Sequence, residues 1–377
     1  MNEIKDSIES IIEVLQKHRD SIVSSRIFSG LLDDEFNFTK DTVTNITRLP
    51  SASNIIYRVD FKYMETVNSI VYRKSVNKLV DFKIENIIFQ QLSDDGDGPF
   101  CFYQGKEFRI EEYLHGRTIS IFELRLPEIV KKIMIQLAKF HSNKVIQSEV
   151  ISILRENKKD GEMKTCLETF LDNWWSSIKE KVDVIQEKLD RDDYKEIFDK
   201  FKRLYFFPGF EDYWRELIEH SSDKIIEHTD AQETNILLLN STPSEADNFK
   251  IVIIDYEYAG LVERSWDLAN YFIETMLSNC EYDWYPWVEL YEDNIMTHAE
   301  LENMVDWYIE ALKIYDPIVS VTKENLLKEI KSMAIAINYY WGAWAIQSID
   351  LERINEDDLY FPAAKHRMRL IELISNM

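Results

Sequence analysis

Residues 228–235 read His-Thr-Asp-Ala-Gln-Glu-Thr-Asn, and beyond them Asp255 closes the apolar run Ile251-Val252-Ile253-Ile254. An H-x-D-x-x-x-x-N run followed by a strand that ends in aspartate is suited to phosphoryl transfer. Asp230 can accept the proton of an attacking hydroxyl. Asn235 and Asp255 offer hard oxygens that suit Mg²⁺, an ion normally shared with nucleotide phosphates. The chain between them reads as a strand (Ile236-Leu237-Leu238-Leu239), a polar turn (240–248) and a second strand. Paired as a hairpin, the strands bring Asn235 and Asp255 to one end of the ladder, as a shared metal requires. From ordinary residue abundances, an accidental match to the loop is on the order of one in a hundred.

The elements needed to position this segment can be read on both sides of it. Ile4, Ile8, Ile11, Ile12 and Leu15 mark an amphipathic first helix. Ile55 to Phe61 and Ser69 to Lys74 read as a hairpin joined through the polar 65–68 stretch. A helix follows, with Val80, Ile84, Ile87 and Ile88 on related faces, and Asp94-Asp95-Gly96-Asp97-Gly98-Pro99 stops it. Two further strands, Phe100 to Tyr103 and Phe108 to Tyr113, flank a Gly105-Lys106 turn. Strand, strand, helix, strand, strand is the order of a small nucleotide-binding lobe of the kinase type. After Leu114 the pattern is mostly helical. Pro127 stands where a first helical turn tolerates it, and helices fit 166–188, 212–220, 266–277, 300–314, 324–352 and 363–375. The expectation is an α+β, two-lobed, protein-kinase-like fold. Residues 1–113 form a small β-rich nucleotide-binding lobe, and 114–377 a large, mostly helical catalytic and substrate-binding lobe.

Within that frame other residues acquire candidate roles. A strand cation reaches the α- and β-phosphates in a kinase-type lobe and is steadied by a helix carboxylate. Arg73 and Glu85 meet that description, and arginine adds a bidentate grip on phosphate. Leu49-Pro50-Ser51-Ala52-Ser53-Asn54 precedes the first strand of the hairpin and is the candidate phosphate-cradling loop, although it lacks glycine. Glu111, Glu112 and Tyr113 lie where the lobes would join, so their backbone groups are candidates to pair with adenine. Asp267, Asn270 and Glu274 fall on one helical face, which is expected to line the cleft. Trp341 and Trp344 stand one turn apart on a long helix, with Tyr360-Phe361 downstream.

Composition narrows the partners. The 377 residues are 45% hydrophobic, and no apolar run is long enough to span a bilayer. A net charge of -24 disfavours nucleic acid, whose phosphates need a basic surface. It favours approach of a cationic small molecule. Cys101, Cys166 and Cys280 lack ligand spacing and read as reduced thiols, and the polar, acidic start Met1-Asn2-Glu3 resembles no targeting peptide. The expected location is the cytoplasm.

With these pieces assembled, the chain resembles the choline/ethanolamine kinase family from about Arg48 to the C-terminus. The resemblance is carried by IIEHTDAQETNILLLN (225–240) and IIDYEYAGLVERSWDLANYFIE (253–274), with weaker support from RIEEYLHGR (109–117), LAKFH (137–141) and NYYWGAW (338–344). The second segment looks like the choline kinase branch. The resemblance implies ATP and Mg²⁺ as cofactors and Asp230 as catalytic base, with Asn235 and Asp255 at the metal and phosphate site. It implies Gln232 and Glu257 as polar positions beside that site, Arg73 as the ATP-phosphate cation and Glu111 to Leu114 as the adenine-binding hinge. Tyr258, Glu274, Trp341 and Trp344 match a pocket for a quaternary ammonium, which ring faces and a carboxylate hold well. Homodimerisation is also implied. The phosphate loop, commonly glycine-rich in the family, is Ser51-Ala52-Ser53-Asn54 here, and Thr229 replaces a usual Asn. Tyr282 and Trp284 both remain candidates for an aromatic expected after Glu274. The expected activity is ATP-dependent phosphorylation of choline to phosphocholine. Its rivals are an ethanolamine kinase and a nucleotide-binding scaffold without turnover.

Overall fold

In a computed structural model of the chain, the described residues are 2–51, 54–75, 82–106, 108–156, 163–219, 223–239, 249–279 and 286–377. Ser53, Val80, Tyr282, Trp284 and the polar turn 240–248 lie outside them. The chain divides into two compact units, Met1–Gly116 and Arg117–Met377.

The first unit opens with α1 (Asn2–Lys17) and α2 (Arg19–Val23). A sheet follows, made of β1 (Val43–Leu49), β2 (Asn54–Tyr63), β3 (Thr66–Ser75), β4 (Cys101–Gln104) and β5 (Phe108–Glu112), with α3 (Phe82–Asp95) between β3 and β4. The strand order is β1-β2-β3-β5-β4, antiparallel throughout. Val59, Phe61, Ile70, Phe102 and Ile110 bury one face of the sheet against Ile11 and Leu15 of α1 and the aromatic loop residues Phe28, Phe36 and Phe38. The β2–β3 ladder runs to Tyr63↔Thr66, so the turn is Met64-Glu65 rather than the 65–68 stretch, with Met64 at φ 51. β1 is not legible in the sequence. Val-Thr-Asn-Ile-Thr-Arg-Leu is an edge strand with little buried surface, and its polar side chains mask the period. Its presence makes the Ser51 loop a strand-to-strand turn, in which the Asn54 N–H donates to Ser51 Oγ at 3.0 Å.

The second unit contains β6 (Gly116–Thr118, straddling the division), α4 (Pro127–His141), α5 (Lys144–Glu156), α6 (Ser176–Lys188), α7 (Asp192–Tyr205) and α8 (Phe210–Leu217). Then come β7 (Lys224–Glu227), β8 (Ile236–Leu239), β9 (Lys250–Ile253), β10 (Gly260–Glu263), α9 (Trp266–Glu274), β11 (Leu277–Ser278) and β12 (Glu289–Leu290). The unit ends with α10 (His298–Tyr315), α11 (Lys323–Ser348) and α12 (Tyr360–Ser375). Pro127 occupies the first turn of α4, and a Thr297–Glu300 capping box starts α10. α5 and α7 add to the helices expected from the sequence, although α7 carries a readable signal: Tyr194, Phe198, Phe201 and Tyr205 are its buried stripe. Gly342 lets α11 pass close to α7, since a Cβ there would come within 2.2 Å of Tyr205 Oη. That hydroxyl donates to the Tyr339 carbonyl at 2.9 Å. No helix among the described residues is long and apolar enough to cross a membrane.

Candidate active site

Two ladders place the 228–235 loop. β8 and β9 pair from Ile236↔Ile253 to Leu239↔Lys250, and the Ile254 N–H donates to the Asn235 carbonyl at 2.9 Å. Asn235 and Asp255 therefore leave the same end of the ladder, as the hairpin reading requires. The second ladder, β7–β10, pairs Glu227 with Gly260. It sets the loop against the Tyr256–Tyr258 turn, and the Thr229 hydroxyl donates to the Tyr258 carbonyl at 2.7 Å.

Asp267 holds the loop from behind. Its Oδ2 accepts from the His228 N–H at 2.9 Å and its Oδ1 from the Thr229 N–H at 2.8 Å. His141 Nε2 donates to Oδ2 at 2.9 Å, while His141 Nδ1 meets the Tyr308 hydroxyl at 2.8 Å. Burial pushes the Asp267 carboxyl up, yet the His141 bond and the surrounding imidazoles outweigh burial and keep it ionised below the usual range. Thr229 sits at φ 67, a left-handed conformation that these backbone bonds impose. The expectation that Asp267, Asn270 and Glu274 line a cleft is thus corrected: all three are fully buried. The ligand atoms of His141, Glu227 and Asp267 lie within 4.8 Å of one another. They are committed to each other, to Tyr308 and to backbone N–H groups, which makes the cluster an anchor. Asp267→Asn removes one acceptor and turns an N–H toward a donor. It is expected to cost roughly 3 kcal/mol in urea unfolding and to lower kcat at least about tenfold. Wild-type values of both would refute the anchoring role.

On the loop, Asn235 Nδ2 donates to the Asp230 carbonyl at 2.9 Å and to Asp230 Oδ2 at 3.1 Å. Two acceptors on that side fix the amide orientation and leave Oδ1 as the remaining oxygen. His228 Nε2 donates to the Ile254 carbonyl at 2.9 Å and its Nδ1 accepts from the Asp230 N–H at 3.2 Å. Burial lowers the His228 pKa, in keeping with this neutral tautomer. Asp255 takes φ 68 at the turn out of β9; aspartate tolerates this region better than most residues. Asn235 and Asp255 form an oxygen-only donor set at one ladder end, which fits a hard divalent cation. Gln232, expected among the catalytic residues, caps the turn: its Oε1 accepts from the Thr234 N–H at 3.1 Å and from Asn279 Nδ2 at 3.3 Å.

The electrostatics ask for a cation. Burial pushes Asp230 well above the usual carboxylate range, and the charges of Glu274, Asp255 and Glu257 add to burial while Arg367 opposes it. Glu274 is expected from the sequence to supply the countercharge to a substrate ammonium. Its Oε1 accepts from Arg367 Nη2 at 2.9 Å and its Oε2 from Asn279 Nδ2 at 3.0 Å, so both oxygens are already engaged.

Tyr258, on the turn that follows Asp255, meets two rings of α11. The Tyr258 ring lies 5.1 Å from Trp341 at 89° and 6.3 Å from Trp344 at 89°, and the two indoles are 5.7 Å apart at 83°. Trp175, Trp214 and Trp266 each donate their indole N–H to a backbone carbonyl, whereas Trp341 and Trp344 have no such acceptor among the described residues. Buried structural tryptophans usually find one, so this pair does not resemble its structural neighbours. Two rings with no role assigned from the sequence adjoin the set. Tyr360 lies 5.8 Å from Trp344, and Trp174, on the π-helical turn Leu171–Trp175, lies 6.4 Å from Trp341.

In the first unit, Arg73 and Glu85 are both buried and Arg73 Nη2 lies 3.4 Å from Glu85 Oε1. The shorter contact to that oxygen, 2.7 Å, comes from Arg109, a residue with no role assigned from the sequence. Glu111 is corrected as an adenine partner. It pairs with Val71 on one side and Cys101 on the other, so its backbone belongs to the sheet. Glu112 closes the ladder opposite Ile70, and its side chain accepts from the Phe100 N–H at 3.0 Å. Tyr113 and Leu114 follow the last ladder pair.

The model of the family described as choline/ethanolamine kinase matches residues 46–371. Mouse choline kinase alpha is 25% identical over 277 residues, covering 72% of this chain and 56% of that protein's own length. A solved choline kinase from Cryptosporidium parvum superposes with a TM-score of 0.66 at 19% identity, covering 98% of this chain and 95% of that one. An ethanolamine kinase from Plasmodium vivax does so with 0.63 at 18% identity, covering 90% and 86%. The fold is the protein-kinase-like fold of these phosphotransferases.

Proposed function

This chain belongs to the choline/ethanolamine kinase family, and from that premise we propose that it transfers the γ-phosphoryl group of ATP to the hydroxyl of choline, giving phosphocholine and ADP. The observation that carries the choice of acceptor is the Tyr258–Trp341–Trp344 arrangement. A trimethylammonium group has no N–H to donate and is held by ring faces. A primary ammonium needs acceptors, and the buried carboxylate of Glu274 is already paired with Arg367 and Asn279.

In the proposed step, Asp230 accepts the hydroxyl proton as the substrate oxygen bonds to the γ-phosphorus and the bond to the β–γ bridging oxygen breaks, releasing ADP. Asn235, through its two bonds to Asp230, keeps that carboxylate aimed, and the Gln232 cap keeps the turn between them closed. Asn235 Oδ1 and Asp255 would hold Mg²⁺, which supplies neutralisation of phosphate charge when bound. Arg73 serves as the cation for the nucleotide phosphates, with Tyr113 and Leu114 as the positions for adenine.

The test is ADP release measured with choline and ethanolamine side by side. A choline kcat/KM exceeding that for ethanolamine supports the reading, the reverse ratio makes ethanolamine the substrate, and no release with either refutes both. Trp341→Leu and Trp344→Leu keep apolar bulk but remove the ring face. Each is expected to raise the choline KM about 2- to 30-fold, the equivalent of roughly 0.5 to 2 kcal/mol, with little change in kcat. An unchanged choline KM in both variants would return these tryptophans to the core.

A further inference from the structure

Arg73 of β3 is the direct ladder partner of Arg109 of β5, and the two side chains are 7% and 1% exposed. Like charges opposite one another on a sheet repel, and more strongly away from water. The pair persists because carboxylates hold it. Glu85 Oε1 accepts from Arg109 Nη2 at 2.7 Å, and Glu111 Oε1 accepts from Arg109 Nε at 2.9 Å. Arg109 Nη1 donates to Asn86 Oδ1 at 3.0 Å, and the Phe89 ring lies 4.1 Å from the guanidinium carbon. Each nitrogen of Arg109 thus donates to a partner and one of its faces is covered by Phe89. Arg73 Nη2 lies 3.4 Å from the same Glu85 oxygen, the longer of the two contacts it receives from the arginines.

We propose that Arg109 is a positioning residue for the nucleotide. By taking the short contact to Glu85, it holds that carboxylate where it orients Arg73 without capturing it. Without Arg109, Glu85 and Arg73 close into a tight buried ion pair, and ATP phosphates must then compete with a full carboxylate for the guanidinium. With Arg109, the charge of Glu85 is shared between two cations, and Arg73 can exchange its longer contact for phosphate. The inference rests on the reading of Arg73 as the phosphate cation.

The experiment measures the ATP dissociation constant of the full chain by direct titration without acceptor, alongside KM for ATP and for choline. Arg109→Met keeps length and apolar contact with Phe89 but deletes the donors. It is expected to weaken ATP binding about tenfold or more while the choline KM stays at its wild-type value. Adding Glu85→Gln to Arg109→Met removes the carboxylate that captures Arg73, and most of the lost affinity should return. A purely structural role predicts no such rescue. Wild-type ATP affinity in a folded Arg109→Met variant overturns the proposal, as does a double variant that binds no better than the single. Should Arg109→Met fail to unfold cooperatively, Arg109→Lys keeps the charge with one contact. A two- to fivefold loss, roughly, is expected there, and unchanged affinity overturns the proposal. An Arg73→Met variant that binds ATP as wild type does would instead refute the underlying reading of Arg73, whatever Arg109 shows.

Discussion

Asp230→Asn is expected to lower kcat by roughly 10²-fold or more while leaving ATP affinity near its wild-type value. The substitution keeps size and planarity. The Asn235 Nδ2 donor, 3.1 Å from Asp230 Oδ2, compels the new amide to point its oxygen inward. Its NH₂ then faces the substrate hydroxyl and donates where a base must accept. Nothing in the ladder that carries the loop depends on the carboxylate, because Asp267, His228 and Ile254 hold the backbone there. Steady-state kinetics together with ATP titration check the split. Turnover within a few-fold of wild type would remove Asp230 from the proton-transfer step.

Asp255→Ala is expected to abolish measurable turnover while the protein still unfolds cooperatively. The residue follows β9 and contributes no buried apolar surface, so the core survives. One cost must be separated from the loss of a metal ligand. At φ 68, alanine occupies a region disfavoured by roughly 1 to 2 kcal/mol. Asp255→Asn tolerates that conformation and keeps one oxygen. It should retain low activity that rises as Mg²⁺ is increased, because a neutral ligand binds the ion more weakly. Full activity of Asp255→Ala at ordinary Mg²⁺ would place the metal elsewhere. Near-wild-type activity of Asp255→Asn with no response to Mg²⁺, beside an inactive Asp255→Ala, would assign the residue a conformational role only.

Much of this site is legible in the sequence because its chemistry is local. Asn235 and Asp255 flank two short apolar strands, and antiparallel pairing of such strands with one turn leaves little freedom in where their ends meet. Trp341 and Trp344 are three positions apart on a helix, which makes them neighbours on its surface whatever surrounds them. Edge strand β1 escapes notice because a strand with little buried surface carries no alternation. Helix α7 is the opposite case, since its amphipathic period is plain in the residues once the buried stripe is known.

By itself the sequence determined the hairpin that brings Asn235 and Asp255 to one end of a ladder, the order β2-β3-α3-β4-β5 in the first unit and the pairing of rings on α11, since each depends on spacing within one or two elements. Only the tertiary structure decided which buried charges meet. Glu274 pairs with Arg367, 93 residues away. Asp267 turns inward to carry the backbone of a loop 38 and 39 residues upstream. Glu85 divides itself between two arginines on different strands. The reason is physical: a buried carboxylate costs several kcal/mol unless it is met by donors. Which donors meet it depends on what packing excludes from water together, and that is set by the fold as a whole and not by any local run of residues.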